Sequence, residues 1–192
     1  MRLVLATRNP HKLREFARLL PGVELEPLPE GIELPPETGE TFEENALPKA
    51  RAAARATGAP AIADDSGIEA AALDGAPGVR SARFAGEHAT DAENLDRLRR
   101  EAPVGSGLAY HCALAYVEGP DGAEHVFHGR CTGTMAEAPR GERGFGYDPV
   151  FVPDDEAGGR TGATMAELAD DEKDAISHRG RAARGLLAWL EG

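Results

Sequence analysis

The chain has 192 residues, with 41% hydrophobic and 28% charged residues and a formal net charge of −12 at pH 7. This composition is typical of a globular protein with one full core, and we expect a single domain over residues 1–192. The negative charge argues against a nucleic-acid polymer or an anionic membrane as a partner, because both bind positive surfaces. It is compatible with a small phosphorylated substrate, which a few local cations can hold.

Two further features bear on where the protein works. No apolar run approaches the ~20 residues that span a bilayer, and residues 1–6 lack the apolar region of a signal peptide. Cys112 and Cys131 lack the spacing of a metal site, and two cysteines make a poor disulfide framework at this length. We therefore expect a cytoplasmic protein whose cysteines are buried thiols.

The first predicted elements are a short strand over residues 3–6 and the helix that follows it. Asn9 is a good N-cap, and Pro10 suits the first helical position. Helical spacing predicts an inward apolar face formed by Leu13, Phe16, Ala17 and Leu20. The segment from the end of this helix to Gly39 is rich in Pro, Glu and Gly, which predicts a long loop with at most one weak strand.

A second helix and a strand are predicted next. Thr41 and Glu44 form a capping-box pattern that opens the helix, and its many alanines favour it. Pro48 lies inside the helical pattern and should kink the helix or shift its start. Residues 59–63 are apolar, as in a short buried strand, and we expect this strand to end in an acidic turn, Ala63-Asp64-Asp65-Ser66-Gly67.

The second half of the chain is predicted to begin with a helix and a β-hairpin. Thr90 and Glu93 form another capping box, and the helix that they open extends to about residue 101. The β-rich runs 108–117 and 124–132 are joined by a turn that contains Gly and Pro, which predicts a hairpin. Residues 140–149 are predicted to form a glycine-rich loop with two aromatic residues.

Three short elements complete the prediction. Residues 150–152 should form a strand, and Thr164 with Glu167 should cap a short helix. Ser177 can cap the last helix, whose predicted inward face comprises Ala183, Leu186, Leu187 and Leu190. Because strands alternate with helices early and form hairpins later, we predict an α/β fold with a mixed sheet and flanking helices.

A candidate phosphate-binding turn lies between the first strand and the first helix, Thr7-Arg8-Asn9-Pro10-His11-Lys12. The free N–H groups and partial positive charge of a helix N-terminus suit a phosphate. Thr7 and Asn9 add side-chain donors, and Lys12 lies one turn into the helix and can reach back. A plain Asn cap with a solvated lysine explains the same residues, and this turn alone does not decide between the two interpretations.

Asp64 and Asp65 lie side by side at the predicted end of a buried strand. Crowded carboxylates repel each other and lose water, which is tolerable if a divalent cation lies beside them or if one acid serves as a base. The alternative is a turn that one of the aspartates caps. Mg²⁺ typically takes one or two carboxylates, so we expect most other acids of this half on solvated faces.

Two segments of the second half could contact a flat, partly polar ligand. Glycines flank Phe145 and Tyr147 and would let the backbone approach such a ligand while a ring stacks on it, although Phe145 could also lie in the core. Lys173 and the run Ser177-His178-Arg179-Gly180 place donors near a helix start, where basic residues are mildly disfavoured. An anionic or carbonyl-bearing ligand would explain them, and an exposed first turn is the alternative.

Six motifs stand in order along nearly the whole chain: Thr7-x-Asn9-x-x-Lys12, Glu37-Thr38-Gly39-x-Thr41-Phe42-x-x-Asn45-Ala46-x-x-Lys49-Ala50, Ala63-Asp64-Asp65-Ser66-Gly67, Gly75-Ala76-Pro77-Gly78 with Ser81-Ala82-Arg83, Gly144-Phe145-Gly146-Tyr147-Asp148-Pro149, and Ser177-His178-Arg179-Gly180. Each is weak alone. Together and in this order they resemble the inosine triphosphate pyrophosphatase family, the house-cleaning purine nucleoside triphosphate pyrophosphatases.

The resemblance implies an activity, a cofactor and a fold. Members hydrolyse a nucleoside triphosphate to the monophosphate and pyrophosphate, need Mg²⁺, prefer 6-keto purines such as those of ITP, dITP and XTP, and usually form homodimers. The implied fold is a long mixed β-sheet whose flanking helices form two lobes around a central active-site cleft.

By position, the resemblance assigns roles to individual residues. Asp65 matches the general base and a metal-linked acid, and Glu37 matches the other metal contact. The positions that match substrate contacts are Thr7, Arg8, Asn9, Pro10, His11, Lys12, Lys49, Ser66, Phe145, Gly146, Tyr147, Asp148, Lys173, His178 and Arg179. Two residues depart from the family pattern, since Arg8 stands where glycine is often found and Pro48 where an aliphatic residue is usual.

The residue types suit this chemistry. Asp65, with Asp64 raising its pKa, would activate the attacking water beside a metal ion. Donors of His178, Arg179 or nearby backbone N–H groups would pair with a 6-keto group and would face another donor in adenine, which costs ~1–3 kcal/mol. A related pyrophosphatase for modified pyrimidine or methylated nucleotides is the first alternative. A nucleotide sensor without hydrolysis is the second, and the intact Asp65 and Glu37 argue against it.

Overall fold

The computed structural model, which describes residues 1–192, contains one six-stranded β-sheet. Its strands, in chain order, are β1 Arg2–Leu5, β2 Glu24–Pro27, β3 Ala61–Ala70, β4 Gly107–Val117, β5 Glu124–Met135 and β6 Phe151–Pro153. Their order across the sheet is β2-β1-β3-β4-β5-β6. Because β1 pairs parallel with β2 and β3, whereas β6 pairs antiparallel with β5, the sheet is mixed, as predicted.

Five α-helices accompany the sheet, and they are α1 Pro10–Leu19, α2 Phe42–Thr57, α3 Asp91–Glu101, α4 Asp170–Ile176 and α5 His178–Glu191. The predicted caps of the first three are confirmed, since Asn9 caps α1 and the residues Thr41 and Thr90 form capping boxes at α2 and α3. Pro48 does not shift the start of α2, which begins directly after Thr41. No helix has the length and apolar character of a membrane span.

The chain divides into two compact units. The first comprises residues 1–65, 112–129 and 179–192, and the second comprises residues 66–111 and 130–178. The first unit has two apolar cores. One packs α1 and α5 with residues of β1, β3 and β4, and the other is rich in alanine because α2 presents Ala46, Ala50, Ala53 and Ala54.

The second unit has its own apolar core. It joins Ile68 of β3, Leu98 of α3 and Phe151 of β6, together with Tyr110 and Tyr147. One cysteine lies in a core of each unit, and both are buried, as predicted. Each unit therefore has enough apolar packing of its own to hold polar side chains in place.

The predicted acidic turn over residues 63–67 is wrong, because β3 continues from Ala61 to Ala70 without a break. Asp64 and Asp65 are therefore strand residues, and successive strand side chains point to opposite faces. Both carboxylates have partners in the folded chain, so they do not have to reach water at a turn.

Two smaller predictions are also wrong. Thr164 and Glu167 close a turn rather than a helix, since the Glu167 carboxylate accepts from the Thr164 N–H at 2.8 Å and α4 begins only at Asp170. In α1, Ala17 is exposed, whereas Glu15 is buried. Glu15 faces inward because its carboxylate pairs with the Arg179 guanidinium at 3.0 Å.

Candidate active site

Asp64 lies in a buried network of charges in the first unit. Its side chain is 1% exposed, and its two oxygens lie 2.9 Å from the Lys12 ammonium and 3.2 Å from Nε of Arg179. Burial disfavours the ionised carboxylate, but the positive charges of Lys12, Arg179 and Lys49 outweigh burial and hold the pKa of Asp64 well below its usual range. Asp64 therefore stays ionised at neutral pH and is a poor base.

Asp65 has a different environment, although it is also buried, at 5% exposed. Its Oδ2 accepts a hydrogen bond from the Asn45 side-chain amide at 3.0 Å. Burial raises its pKa, Lys49 opposes the rise and Glu37 adds to it, and the outcome is a pKa of about 6. Burial and Glu37, rather than the expected Asp64, thus prepare Asp65 to be ionised near neutral pH and still able to accept a proton.

Lys49 joins Glu37 to β3. Its ammonium donates to Glu37 Oε1 at 2.5 Å and to the backbone carbonyl of Asp64 at 2.7 Å, so Pro48 does not prevent its reach. Burial lowers the pKa of Lys49, but three neighbouring carboxylates raise it by more, and the ammonium stays charged.

Glu37 and Asp65 are the two carboxylates that could hold a divalent cation. No group of three or more His, Cys, Asp and Glu side chains converges in the chain, so an all-protein cage for a metal is absent. Mg²⁺ commonly takes one or two carboxylates and completes its shell with water and phosphate oxygens. The negative charges of Glu37 and Asp65 repel each other, and this repulsion raises the pKa of Asp65. A cation bound between the two carboxylates would relieve the repulsion. The donor set fits a Mg²⁺ ion of this kind.

The turn before α1 differs from the expected row of free N–H groups. The Asn9 side chain accepts from the N–H groups of His11 at 2.8 Å and Lys12 at 3.3 Å, and the Thr7 hydroxyl accepts from the Asn9 N–H. Pro10 has no N–H group to offer. An anion at this end of α1 would therefore depend on the Lys12 ammonium and the helix dipole rather than on open backbone donors.

Asp148 is the centre of a polar cluster in the second unit. Its Oδ2 accepts from the Lys173 ammonium at 2.7 Å and from the Phe145 N–H at 3.0 Å, and its Oδ1 accepts from the Tyr110 hydroxyl at 3.1 Å. Gly144 has a φ of +71°, and a Cβ there would come within 2.0 Å of the Asp148 carboxylate. Only glycine fits this position, which explains one glycine of the loop.

The two aromatic residues of this loop have different roles. Tyr147 is buried and donates its hydroxyl to the Ser81 carbonyl at 2.7 Å, so it holds the loop rather than a ligand. Phe145 is half-buried, and the Lys173 ammonium lies 5.5 Å from its ring centroid. Phe145 is thus the ring of this loop that a flat ligand can use.

Comparison with known proteins identifies the family of this chain. The profile of the Ham1 family matches residues 3–189. The chain belongs to the Ham1 family. It is 47% identical over 198 residues to the dITP/XTP pyrophosphatase of Yersinia pseudotuberculosis, an alignment that covers 98% of each chain. The corresponding pyrophosphatase of Frankia alni is 50% identical over 203 residues, covering 99% of this chain and 97% of its own.

Solved Ham1 structures share the fold. A HAM1 protein from Coxiella burnetii superposes with a TM-score of 0.84 at 42% identity, covering 100% of this chain and 98% of its own. The α/β fold and the resemblance inferred from the six motifs are therefore confirmed. The comparisons identify the family and the fold, whereas the role of each residue is argued from its contacts, burial and charge.

Three predicted substrate contacts of this Ham1 chain have other partners. Arg8 donates to backbone carbonyls of the segment after β2 rather than pointing outward. Arg179 is buried between the carboxylates of Glu15 and Asp64, and this pairing explains a basic residue at the start of α5. His178 is buried and stacks on Tyr110, with ring centroids 4.6 Å apart.

Other predicted contacts lie at accessible positions. His11 is exposed at the start of α1, and Ser66 is half-buried on β3 directly after Asp65. The Gly146 N–H donates to the Asp91 carboxylate at 3.1 Å, which ties the Phe145 loop to α3.

Sequence reasoning missed three residues of these clusters. Asn45 holds Asp65, and its side-chain oxygen also accepts from the Gly39 N–H at 2.7 Å. Glu15 pairs with Arg179, and Tyr110 pairs with Asp148. Asn45 stands within a quoted motif and Glu15 lies three residues after Lys12, so both had a weak signal, whereas Tyr110 had none.

Proposed function

We propose that this Ham1 protein hydrolyses non-standard purine nucleoside triphosphates, dITP, XTP and ITP, to the monophosphate and pyrophosphate. Its relatives over almost the whole chain are named dITP/XTP pyrophosphatases, which supports a hydrolase that acts on phosphoric anhydride bonds. The observation that carries the proposal is the buried Asp65, with a pKa of about 6, together with the half-buried Glu37, which a lysine joins to the same strand.

We assign the triphosphate to the cluster of the first unit. Mg²⁺ bound by Glu37 and Asp65 would neutralise phosphate charge and polarise the phosphorus that is attacked. The Asp65 carboxylate would accept a proton from the attacking water. The ammonium groups of Lys12 and Lys49 would stabilise the negative charge that develops on the leaving pyrophosphate.

We assign the purine base to the cluster of the second unit. Phe145, whose ring face the Lys173 ammonium overlies at 5.5 Å, would stack on the base, and donors of this cluster would face the edge of the base. A 6-keto purine presents an acceptor there, whereas adenine presents an amino donor. A donor left unpaired against adenine costs ~1–3 kcal/mol, which disfavours ATP by about five- to 150-fold.

The oligomeric state and the cellular location of the protein remain predictions. The resemblance predicts a homodimer, which light scattering during gel filtration would check. The composition predicts a cytoplasmic location, which fractionation of cells would check.

A product assay tests the proposed function. The protein is incubated with Mg²⁺ and, separately, with ITP, dITP, XTP, GTP or ATP, and pyrophosphate and orthophosphate are measured. We expect pyrophosphate from ITP, dITP and XTP, little from ATP, and no turnover after chelation of the metal. Orthophosphate alone, or equal turnover of all five nucleotides, would refute the proposal. Binding of ITP without turnover by the unmodified protein would favour a sensor instead.

A further inference from the structure

Arg8 makes three hydrogen bonds to one short stretch of backbone. Its guanidinium donates to the carbonyls of Leu28 at 2.8 Å, Pro29 at 2.8 Å and Ile32 at 2.9 Å. A guanidinium is planar and always charged, and its several N–H groups can serve several acceptors at once. A glycine or alanine at this position would have no side chain to make these contacts.

The stretch that Arg8 holds leads to Glu37. Residues 28–40 lie between β2 and α2 and contain no helix or strand. Leu28 is buried, and the side chains of Ile32 and Leu34 pack on the alanine-rich core of the first unit. Arg8 thus adds polar anchors where the chain has apolar contacts but no regular backbone hydrogen bonds.

The other end of the same segment is anchored by α2. The Gly39 N–H donates to the Asn45 side chain at 2.7 Å, and the Glu40 N–H donates to the Glu44 carboxylate at 2.8 Å. Between the two anchors, Glu37 reaches the Lys49 ammonium at 2.5 Å. The segment is therefore fixed on both sides of a residue whose carboxylate position matters for any bound cation.

We propose that Arg8 is a positioning residue that holds residues 28–38 so that Glu37 is kept in place for a divalent cation. Ordering a segment without regular structure costs about 1–2 kcal/mol per residue, so anchors on both sides of Glu37 increase the share of molecules in which it is ready to bind. Arg8 acts here through Glu37 and not by contact with a substrate. The cation part of the inference rests on the proposed function, whereas the holding of the segment does not.

Hydrogen exchange of the metal-free, nucleotide-free protein tests the holding of the segment. We compare the unmodified chain with Arg8→Ala and with Arg2→Ala, which also removes a surface arginine from the region of β1 but spares the three carbonyl contacts. Arg8→Ala should speed exchange of backbone amides in residues 28–39, and Arg2→Ala should not. Equal exchange of this segment in all three proteins would overturn the proposal.

The Mg²⁺ dependence of turnover tests the action through Glu37. Arg8→Ala should raise the half-saturating Mg²⁺ concentration about three- to tenfold, because only part of the stabilisation from the three lost hydrogen bonds is transmitted to Glu37, and leave kcat at saturating Mg²⁺ within about twofold. Arg8→Lys should give a smaller increase, because one ammonium replaces part of the guanidinium.

A double-mutant comparison separates positioning from general stability. In a Glu37→Gln background, Arg8→Ala should add no further change in Mg²⁺ dependence, because the residue through which Arg8 acts is already lost. An equal increase in both backgrounds, or no increase in either, would overturn the proposal. If the unmodified protein hydrolyses none of the nucleotides, the proposed function fails, and the exchange comparison alone decides whether Arg8 holds the segment.

Discussion

The two sides of β3 at Asp64 and Asp65 differ in charge balance rather than in burial. Both carboxylates are almost fully buried, and both belong to the same continuous strand. Asp64 has Lys12 and Arg179 within 3.2 Å, whereas Asp65 accepts from a neutral amide and has Lys49 and the like charge of Glu37 as its main charged neighbours. Burial raises the pKa of both carboxylates. The cations around Asp64 outweigh burial, whereas the cations near Asp65, opposed by Glu37, do not.

This difference separates an acid that is held ionised from one that can take up a proton near neutral pH. Asp64 is held ionised in a network that joins β3 to α1 and α5. Asp65 keeps a carboxylate that is mostly ionised at pH 7 and takes up a proton near pH 6, which costs stability and suits proton transfer. Side chains of adjacent strand residues point to opposite faces, so the strand itself provides the separation that a turn would not.

The largest effect that we expect is a loss of catalytic activity in the Asp65→Asn variant. The substitution keeps the shape of the side chain but removes the proton acceptor, so kcat for dITP should fall by about 10²–10⁴-fold. Steady-state kinetics with a pyrophosphate assay measures this, and a thermal melt checks that the fold is retained. A variant with more than about a tenth of the normal kcat would show that Asp65 is not the base.

The matched change on the other side, Asp64→Asn, should mainly reduce stability. The substitution removes the carboxylate charge that pairs with Lys12 and Arg179 in a buried site. Removing one partner of a buried ion pair costs about 3–5 kcal/mol. Urea unfolding at pH 7 measures the loss. The contribution of Asp64 is present above the unfolded pKa near 3.8 and is lost as pH falls below it, because its folded pKa is depressed. Unfolding free energies of the two proteins that agree at pH 7 would contradict this account.

Local signals predicted much of the fold. Thr41 and Thr90 open helices because a capping box is formed by residues three apart, which sequence shows directly. The extent of β3 could not be predicted in this way. The cations that let the strand continue through Asp64 come from Lys12 and from Arg179, which is 115 residues away. Adjacent aspartates therefore look like a turn until the tertiary partners are known.

The candidate site was predicted unevenly for the same reason. Asp65 and Glu37 were assigned by resemblance, and their surroundings suit the assignment. Arg179 was expected to face a ligand because its partner Glu15 is 164 residues away and no spacing relates the two. Asn45 was missed because a polar residue in the first turns of a helix is common and has no single meaning, whereas its two partners are tertiary.

The pH dependence of stability should separate the two aspartates further. The rise in the pKa of Asp65 from 3.8 to about 6 destabilises the fold by about 3 kcal/mol at pH 7, at about 1.4 kcal/mol per pKa unit. Because the folded pKa is raised, this penalty is absent below about pH 4 and grows as pH rises to about 6. Metal-free Asp65→Asn should therefore exceed the unmodified protein in unfolding free energy at pH 7 and match it near pH 4. A constant difference across this range would contradict a raised pKa.

The smallest expected effects are shifts of the Asp65 pKa by its two neighbours, and their signs differ. Glu37→Gln removes a like charge, so the pKa of Asp65 should fall, whereas Asn45→Ala removes a hydrogen bond to the ionised form, so it should rise. Each shift should be within about one unit, measured by ¹³C NMR titration of the side-chain carboxyl in the metal-free protein. Glu93→Gln is a control, because Glu93 caps α3 in the other unit. An unchanged pKa in both variants would mean that neither neighbour contributes to it, and the contrast between the two sides of β3 would then rest on the cations around Asp64.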